Sequence, residues 1–163
     1  MSEITKKELY QIALDTRNFE ISLFWQRSNY FLALNTAIAV GFFVKASAVY
    51  QFGLGFFGLL TSILWVAINC GSKFWQSRWE TRLKIAEDNL SKEINYFSTD
   101  WETLLADAQE SIDFSNHNFL RKYFDRFVLA KPSVSFVMTL LSVLFVLFWI
   151  ILIIISIQTP PVK

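Results

Sequence analysis

One cysteine, one histidine, three prolines and five glycines among 163 residues put several kinds of protein out of reach. Cys70 alone cannot form an internal disulfide, and with a single imidazole at His117 a metal site would be short of soft and nitrogen ligands. No cofactor is expected. Net charge is missing too: 15 lysines and arginines stand against 14 aspartates and glutamates, so direct nucleic-acid binding by phosphate neutralisation is not expected. The glycines make no phosphate loop, because Gly53-Leu54-Gly55-Phe56-Phe57-Gly58 lies inside an apolar run and lacks the lysine a nucleotide site requires. His117 sits in an expected loop without a serine, cysteine or metal-spacing partner. Glu87-Asp88, Glu93, Asp100, Glu102, Asp107 and Glu110 fall mainly off the apolar face of their segment and read as a solvated surface, not an acid–base pair. An enzyme is therefore not expected.

What is present is apolar and aromatic. At 53% hydrophobic and 17% aromatic, the composition is that of a membrane protein. Residues 134–157 run without a charge, and 18 of these 24 are Leu, Ile, Val or Phe. At a few tenths of a kcal/mol each, their transfer into lipid sums to about 5–9 kcal/mol, an upper figure for one transmembrane helix. Lys131-Pro132-Ser133 anchors its start, and Gln158-Thr159-Pro160-Pro161 ends it.

A second apolar block, 30–70, is divided by a polar break at Lys45 to Gln51. Tyr30 to Val49 and Phe52 to Cys70 each reach about 28–30 Å as helices, enough for a transmembrane hairpin. The first leg carries Asn35 and Lys45 and has a second reading, as a re-entrant or interfacial segment.

The expected architecture is an all-α membrane protein in four parts. These are an N-terminal cytoplasmic helix (1–29), a transmembrane hairpin (30–70), a cytoplasmic helical region (71–131) and a C-terminal transmembrane helix with a short outer tail (132–163). Thr5-Lys6-Lys7-Glu8 forms a capping box, and Leu9, Ile12, Phe19 and Leu23 give the first helix one apolar face. Beyond the hairpin, Trp79, Leu83, Ala86, Leu90, Ile94, Phe97, Trp101, Leu104 and Ala108 recur every three or four residues, so the second leg is expected to continue as a long amphipathic helix. Trp79, Leu83, Leu90, Ile94, Phe97 and Trp101 either pack within the chain or form a self-association seam. After a loop at Ser111 to Asn118, Phe119 to Phe127 reads as a short basic aromatic helix, suited to the membrane interface or to a protein contact.

Four lysines and arginines precede the hairpin and nine lie in 71–131, against Lys45 at the hairpin tip and Lys163 in the tail. This bias places the N-terminus in the cytoplasm and the C-terminus in the periplasm. The near-repeat Phe24-Trp25-Gln26-Arg27 and Phe74-Trp75-Gln76-Ser77-Arg78 then falls at one interface, with Trp25, Arg27, Tyr30, Lys73, Trp75, Arg78 and Trp79 as its belt. Within the spans, Gly55, Gly58 and Ser62 suit close helix approach, Asn35 and Asn69 need partners, and Ser135, Thr139 and Ser142 align on one side. That polar line serves helix adhesion or an aqueous path.

Residues 24–31 and Asn69-Cys70-Gly71-Ser72-Lys73-Phe74-Trp75-Gln76-Ser77-Arg78-Trp79-Glu80 resemble the RipA family of small bacterial inner-membrane proteins, over residues 15 to 90. That resemblance implies homo-oligomerisation, with octamers; the apolar final span departs from a two-span plan. In size, span plan and lack of an enzyme site the chain is also similar to the small membrane effectors of bacterial retrons. That likeness implies a membrane-perturbing toxin of antiviral defence, pore-forming or depolarising, restrained by a reverse transcriptase–nucleic acid complex. The alternative is a non-enzymatic, homo-oligomeric inner-membrane scaffold of RipA type.

Overall fold

The computed structural model describes residues 4–44, 47–91, 96–111, 119–130 and 133–158. Among these residues there are five helices and no strand: α1 (Lys6–Phe43), α2 (Ala48–Leu90), α3 (Trp101–Ser111), α4 (Phe119–Leu129) and α5 (Val134–Gln158). The expectations for Lys45, Glu93, Ile94, residues 112–118 with His117, Lys131-Pro132 and the tail from Thr159 lie outside the described residues.

Local chemistry sets the helix ends. Thr5 and Glu8 close the capping box in both directions: Glu8 Oε2 accepts from the Thr5 backbone N–H (2.7 Å) and hydroxyl (2.9 Å), and the Glu8 N–H donates to Thr5 Oγ1 (3.3 Å). Asp100 starts α3 by accepting the Thr103 N–H at 3.0 Å. These bonds hold both carboxyls below their ordinary pKa: at Glu8 mainly the Thr5 backbone N–H and then its hydroxyl, at Asp100 mainly the Thr103 side chain and then its N–H. A depressed folded pKa contributes stability above the unfolded carboxylate value and loses it as pH falls through the folded one. The first turns of α1 and α3 are therefore expected to fray only in acid below the usual carboxylate range, as faster amide exchange at Glu8 and Thr103 would report.

The chain divides into two compact units, Met1–Asn18 with Gln76–Val134, and Phe19–Trp75 with Ser135–Lys163. In the second unit, parts of α1, α2 and α5 bundle around a small apolar cluster of Ile38, Phe42 and Trp149, flanked by Ala39, Leu54, Leu59, Phe148 and Leu152. The inward line of α2 is Gly55, Gly58, Ser62, Trp65, Asn69 and Ser72, at alternating steps of three and four. Phe56, Phe57, Leu60, Ile63 and Leu64 of the same helix are exposed, as are Leu144, Leu147, Ile151, Ile154 and Ile155 of α5. Small and polar residues share the inside with Ile38, Phe42, Trp65 and Trp149, while most of the large apolar side chains lie outside. That is the inverse of a water-soluble bundle. Two helices, α2 and α5, are long and apolar enough to cross a membrane.

Three expectations are corrected. The first leg does not run to Val49: α1 ends at Phe43, and Val49 belongs to α2, whose first turn Ser47 caps by accepting the Gln51 N–H (3.1 Å) on its carbonyl. The long amphipathic helix does not reach Ala108 but stops at Leu90, and a turn at 96–98 leads to α3. Ser111, expected in a loop, is the last residue of α3.

In the first unit Glu87 ties the last turn of α2 to the turn at 96–98. Far from belonging to a wet face, it is 0% exposed. Its carboxylate accepts the N–H groups of Tyr96 (3.1 Å), Phe97 (2.8 Å) and Ser98 (2.8 Å), so one side chain satisfies the backbone of the turn that folds back on α2. Arg17 of α1 stacks over the Phe97 ring at 5.2 Å. The first helix also presents a different face from the one expected: Ala13 is buried, while Leu9, Ile12 and Phe19 are exposed.

Candidate functional site

The polar interior of the second unit centres on Asn35. Its Oδ1 accepts from Trp149 Nε1 of α5 at 2.9 Å. Ser62 Oγ of α2, with one proton to give, lies 2.8 Å from that oxygen and 2.9 Å from the Gly58 carbonyl. Asn35 Nδ2 donates to the Phe31 carbonyl at 2.9 Å, so the amide is held at both ends. One side chain thus links three helices, in surroundings where an unpaired amide would be costly. Two turns toward the other end of α2, Asn69 Nδ2 donates to Ser142 Oγ (3.3 Å) and the Met138 carbonyl (3.2 Å) of α5. Ser142 passes its own proton to the Thr139 carbonyl at 2.7 Å, and Thr139 Oγ1 donates to the Ser135 carbonyl at 2.8 Å.

Close approach of α2 and α5 depends on glycine. A Cβ on Gly58 would fall within the indole ring of Trp149, and one on Gly55 would meet Ile153 Cγ1 at 3.0 Å. The Trp149 N–H can reach Asn35 only because position 58 has no side chain. Trp149 repeats the step from Ser135 to Ser142, seven residues on, and that register was the sequence signal for it. Trp65 had no such signal. It is fully buried, stacked on Phe31 (6.2 Å, 5°) and tilted against Phe145 (5.8 Å), and its indole N–H has no hydrogen-bond partner, nor does the buried Ser28 hydroxyl.

Replacing Asn35 with leucine would orphan the Trp149 N–H and remove the Ser62 bond across the helices. Because membrane hydrogen bonds average well under 1 kcal/mol but a buried unmet donor costs more, the expected loss is about 1–3 kcal/mol. Thermal unfolding of the detergent-solubilised protein checks it. Asn35→Gln, which keeps the amide but not its position, should lose less.

The belt residues separate into two groups. In the second unit Trp25, Tyr30, Lys73 and Trp75 are exposed, and Arg27 Nη1 donates to Ser72 Oγ at 3.3 Å, which ties the first near-repeat to α2 two residues ahead of the second. Each copy holds its Phe-Trp pair edge to face, Phe24–Trp25 at 5.8 Å and Phe74–Trp75 at 5.7 Å. In the first unit Arg78 is exposed and Trp79 half-buried. Of the amphipathic stripe, Leu83 is fully buried and Leu90 and Phe97 half-buried, whereas Trp101 is exposed. Leu83 is thus buried within the single chain.

The first unit also holds a pocket of ≈ 360 Å³ lined by Arg17, Glu80, Lys84, Phe97 and Trp101 among others, and a more apolar groove of ≈ 270 Å³ between Leu9, Ile12, Trp79 and Ile85. Among the described residues no group of three or more His, Cys, Asp or Glu could hold a metal ion.

No curated protein and no solved structure matches the chain. A family model does, over residues 7–158, from the start of α1 to the end of α5, and its description is the octameric membrane protein family (8xMP). Covering both units, the polar interior and both candidate spans, that match shows that the chain belongs to the octameric membrane protein family.

Proposed function

We propose that the protein is a non-enzymatic, homo-oligomeric membrane scaffold, assembled from eight copies as its family's name describes. The observation that carries this reading is the distribution of residues in the second unit, where Asn35, Ser62, Asn69 and Ser142 are inside and most of the large apolar side chains outside. Lipid and neighbouring copies cover such a surface at no desolvation cost; water does not.

In this reading α1 supplies a third span. Its 16 charge-free residues from Ser28 to Phe43 would rise about 24 Å, short of a full crossing unless Arg27 snorkels to the headgroups. Four polar residues, Ser28, Asn29, Asn35 and Thr36, lower its apolar content, and Ser28 and Asn35 are buried within the bundle. The N-terminus and the 71–131 region lie in the cytoplasm and the C-terminus in the periplasm of a bacterial inner membrane, following the positive-inside bias. The resemblance to the RipA family extends to the hairpin of this plan but not to its apolar final span.

A second reading is favoured by one feature of the same interior. The polar groups of Asn35, Ser62, Asn69, Thr139 and Ser142 are closed on one another here, and a rotation of the helices would turn them toward a water-filled path. The protein would then be a depolarising effector of antiviral defence, held inactive by a cytoplasmic partner such as the reverse transcriptase–nucleic acid complex of a retron. Expressing the chain alone and following membrane potential with a voltage-sensitive dye separates the two. An unchanged potential with correctly inserted protein supports the scaffold, and a collapse that Asn35→Leu or Asn69→Leu alters supports the effector.

A further inference from the structure

Helix α4 is turned the wrong way round for a soluble domain. Leu120, Tyr123, Phe124, Phe127 and Val128 follow steps of three and one, so at about 100° per residue they form a single stripe. All five are exposed, Leu120 at 81% and Phe124 at 65%, whereas Asp125 on the opposite side is 8% exposed. A short helix that buries its aspartate and shows its aromatic face leaves that face to be covered by something else.

We propose that this face of α4 lies in the headgroup layer of the bilayer, as an interfacial helix that binds anionic phospholipid. Two independent features of the chain identify the occupant. Arg121 and Arg126, both exposed, flank the stripe on its two edges, where a guanidinium can reach lipid phosphate while Phe124 and Phe127 enter the boundary with the acyl chains. Only four residues separate the last residue of α4, Leu129, from the start of the apolar helix α5 at Val134. Aromatic and basic residues together are what this layer accepts, the ring at the apolar boundary and the charge at the phosphates. A second copy of the chain would need no cation on both edges of an apolar stripe.

The inference rests on α5 being a membrane span, and its test tells the two apart. The full chain carrying Cys70→Ser and Phe124→Cys, labelled with an environment-sensitive fluorophore, is reconstituted in phosphatidylcholine vesicles with and without phosphatidylglycerol. A twin carrying Ile151→Cys reports on α5. The Phe124 probe is expected to shift to the blue when phosphatidylglycerol is added, to be quenched more by lipid bearing a nitroxide near the headgroup than by lipid bearing it at the chain terminus, and to lose the shift with Arg121→Glu and Arg126→Glu together. A Phe124 probe unquenched by either lipid, while the Ile151 probe is quenched, overturns the proposal. Disulfide cross-linking of two Phe124→Cys chains in place of quenching overturns it in favour of a contact between copies. If the Ile151 probe also escapes quenching, the span itself fails.

Discussion

Gly58→Ala should destabilise the second unit by about 1–3 kcal/mol, although alanine is worth up to about 1 kcal/mol more than glycine in an isolated helix. The sign reverses because the added Cβ would overlap the Trp149 ring, which cannot retreat without breaking its 2.9 Å bond to Asn35. Position 53 provides the control: nothing lies within 4 Å of a Cβ there, so Gly53→Ala should be neutral or mildly stabilising. Trp149→Ala costs stability by itself but removes the obstacle, so Gly58→Ala added to it should cost far less than in the parent. Thermal unfolding of the four proteins in one detergent completes the cycle. Equal losses at 53 and 58 would show that α2 and α5 do not meet as described.

Glu87→Ala should be the most damaging change in the first unit, at about 3 kcal/mol. The substitution strands three backbone N–H groups that now share one carboxylate, and hydrogen bonds to a charged acceptor are worth about 1.5–3 kcal/mol apiece. They do not add in full, because the cost of burying the charge disappears with it. Glu87→Gln retains one acceptor oxygen and should lose about half as much. Hydrogen exchange at Tyr96, Phe97 and Ser98 provides the local readout: these three amides should exchange faster in both variants, with the first turn of α1 unchanged.

Glu87 also shows where the sequence is hard to read. It follows Leu83 by four residues and precedes Leu90 by three, so it stands in the register of the stripe it was expected to avoid. Phe97 and Trp101 keep that register by coincidence across a break that no glycine or proline marks. What marks the break is chemical: an inward acid able to gather free N–H groups, and Asp100 three residues before Thr103. The helix starts governed by local bonds were legible, as at Thr5 and Glu8, and so was α5, where charge is excluded over its whole length.

The interior was legible only in part, for a reason particular to lipid. Apolar side chains there have two equally good destinations, a neighbour or an acyl chain, so hydrophobicity does not tell inside from outside. Asn35, Asn69, Gly58 and Ser142 can be placed from sequence because each is costly or purposeless on the outside. Trp149 is marked only by its seven-residue step from Ser142, and Trp65 looks like any other large apolar residue until the rings around it are seen.

Native mass spectrometry of the protein released from lipid nanodiscs tests most directly whether these helices form a lipid-embedded assembly of identical copies. The account predicts one dominant species of eight 19.0 kDa chains that retains phospholipid. A monodisperse single chain, recovered from aqueous buffer without lipid or detergent, would contradict it.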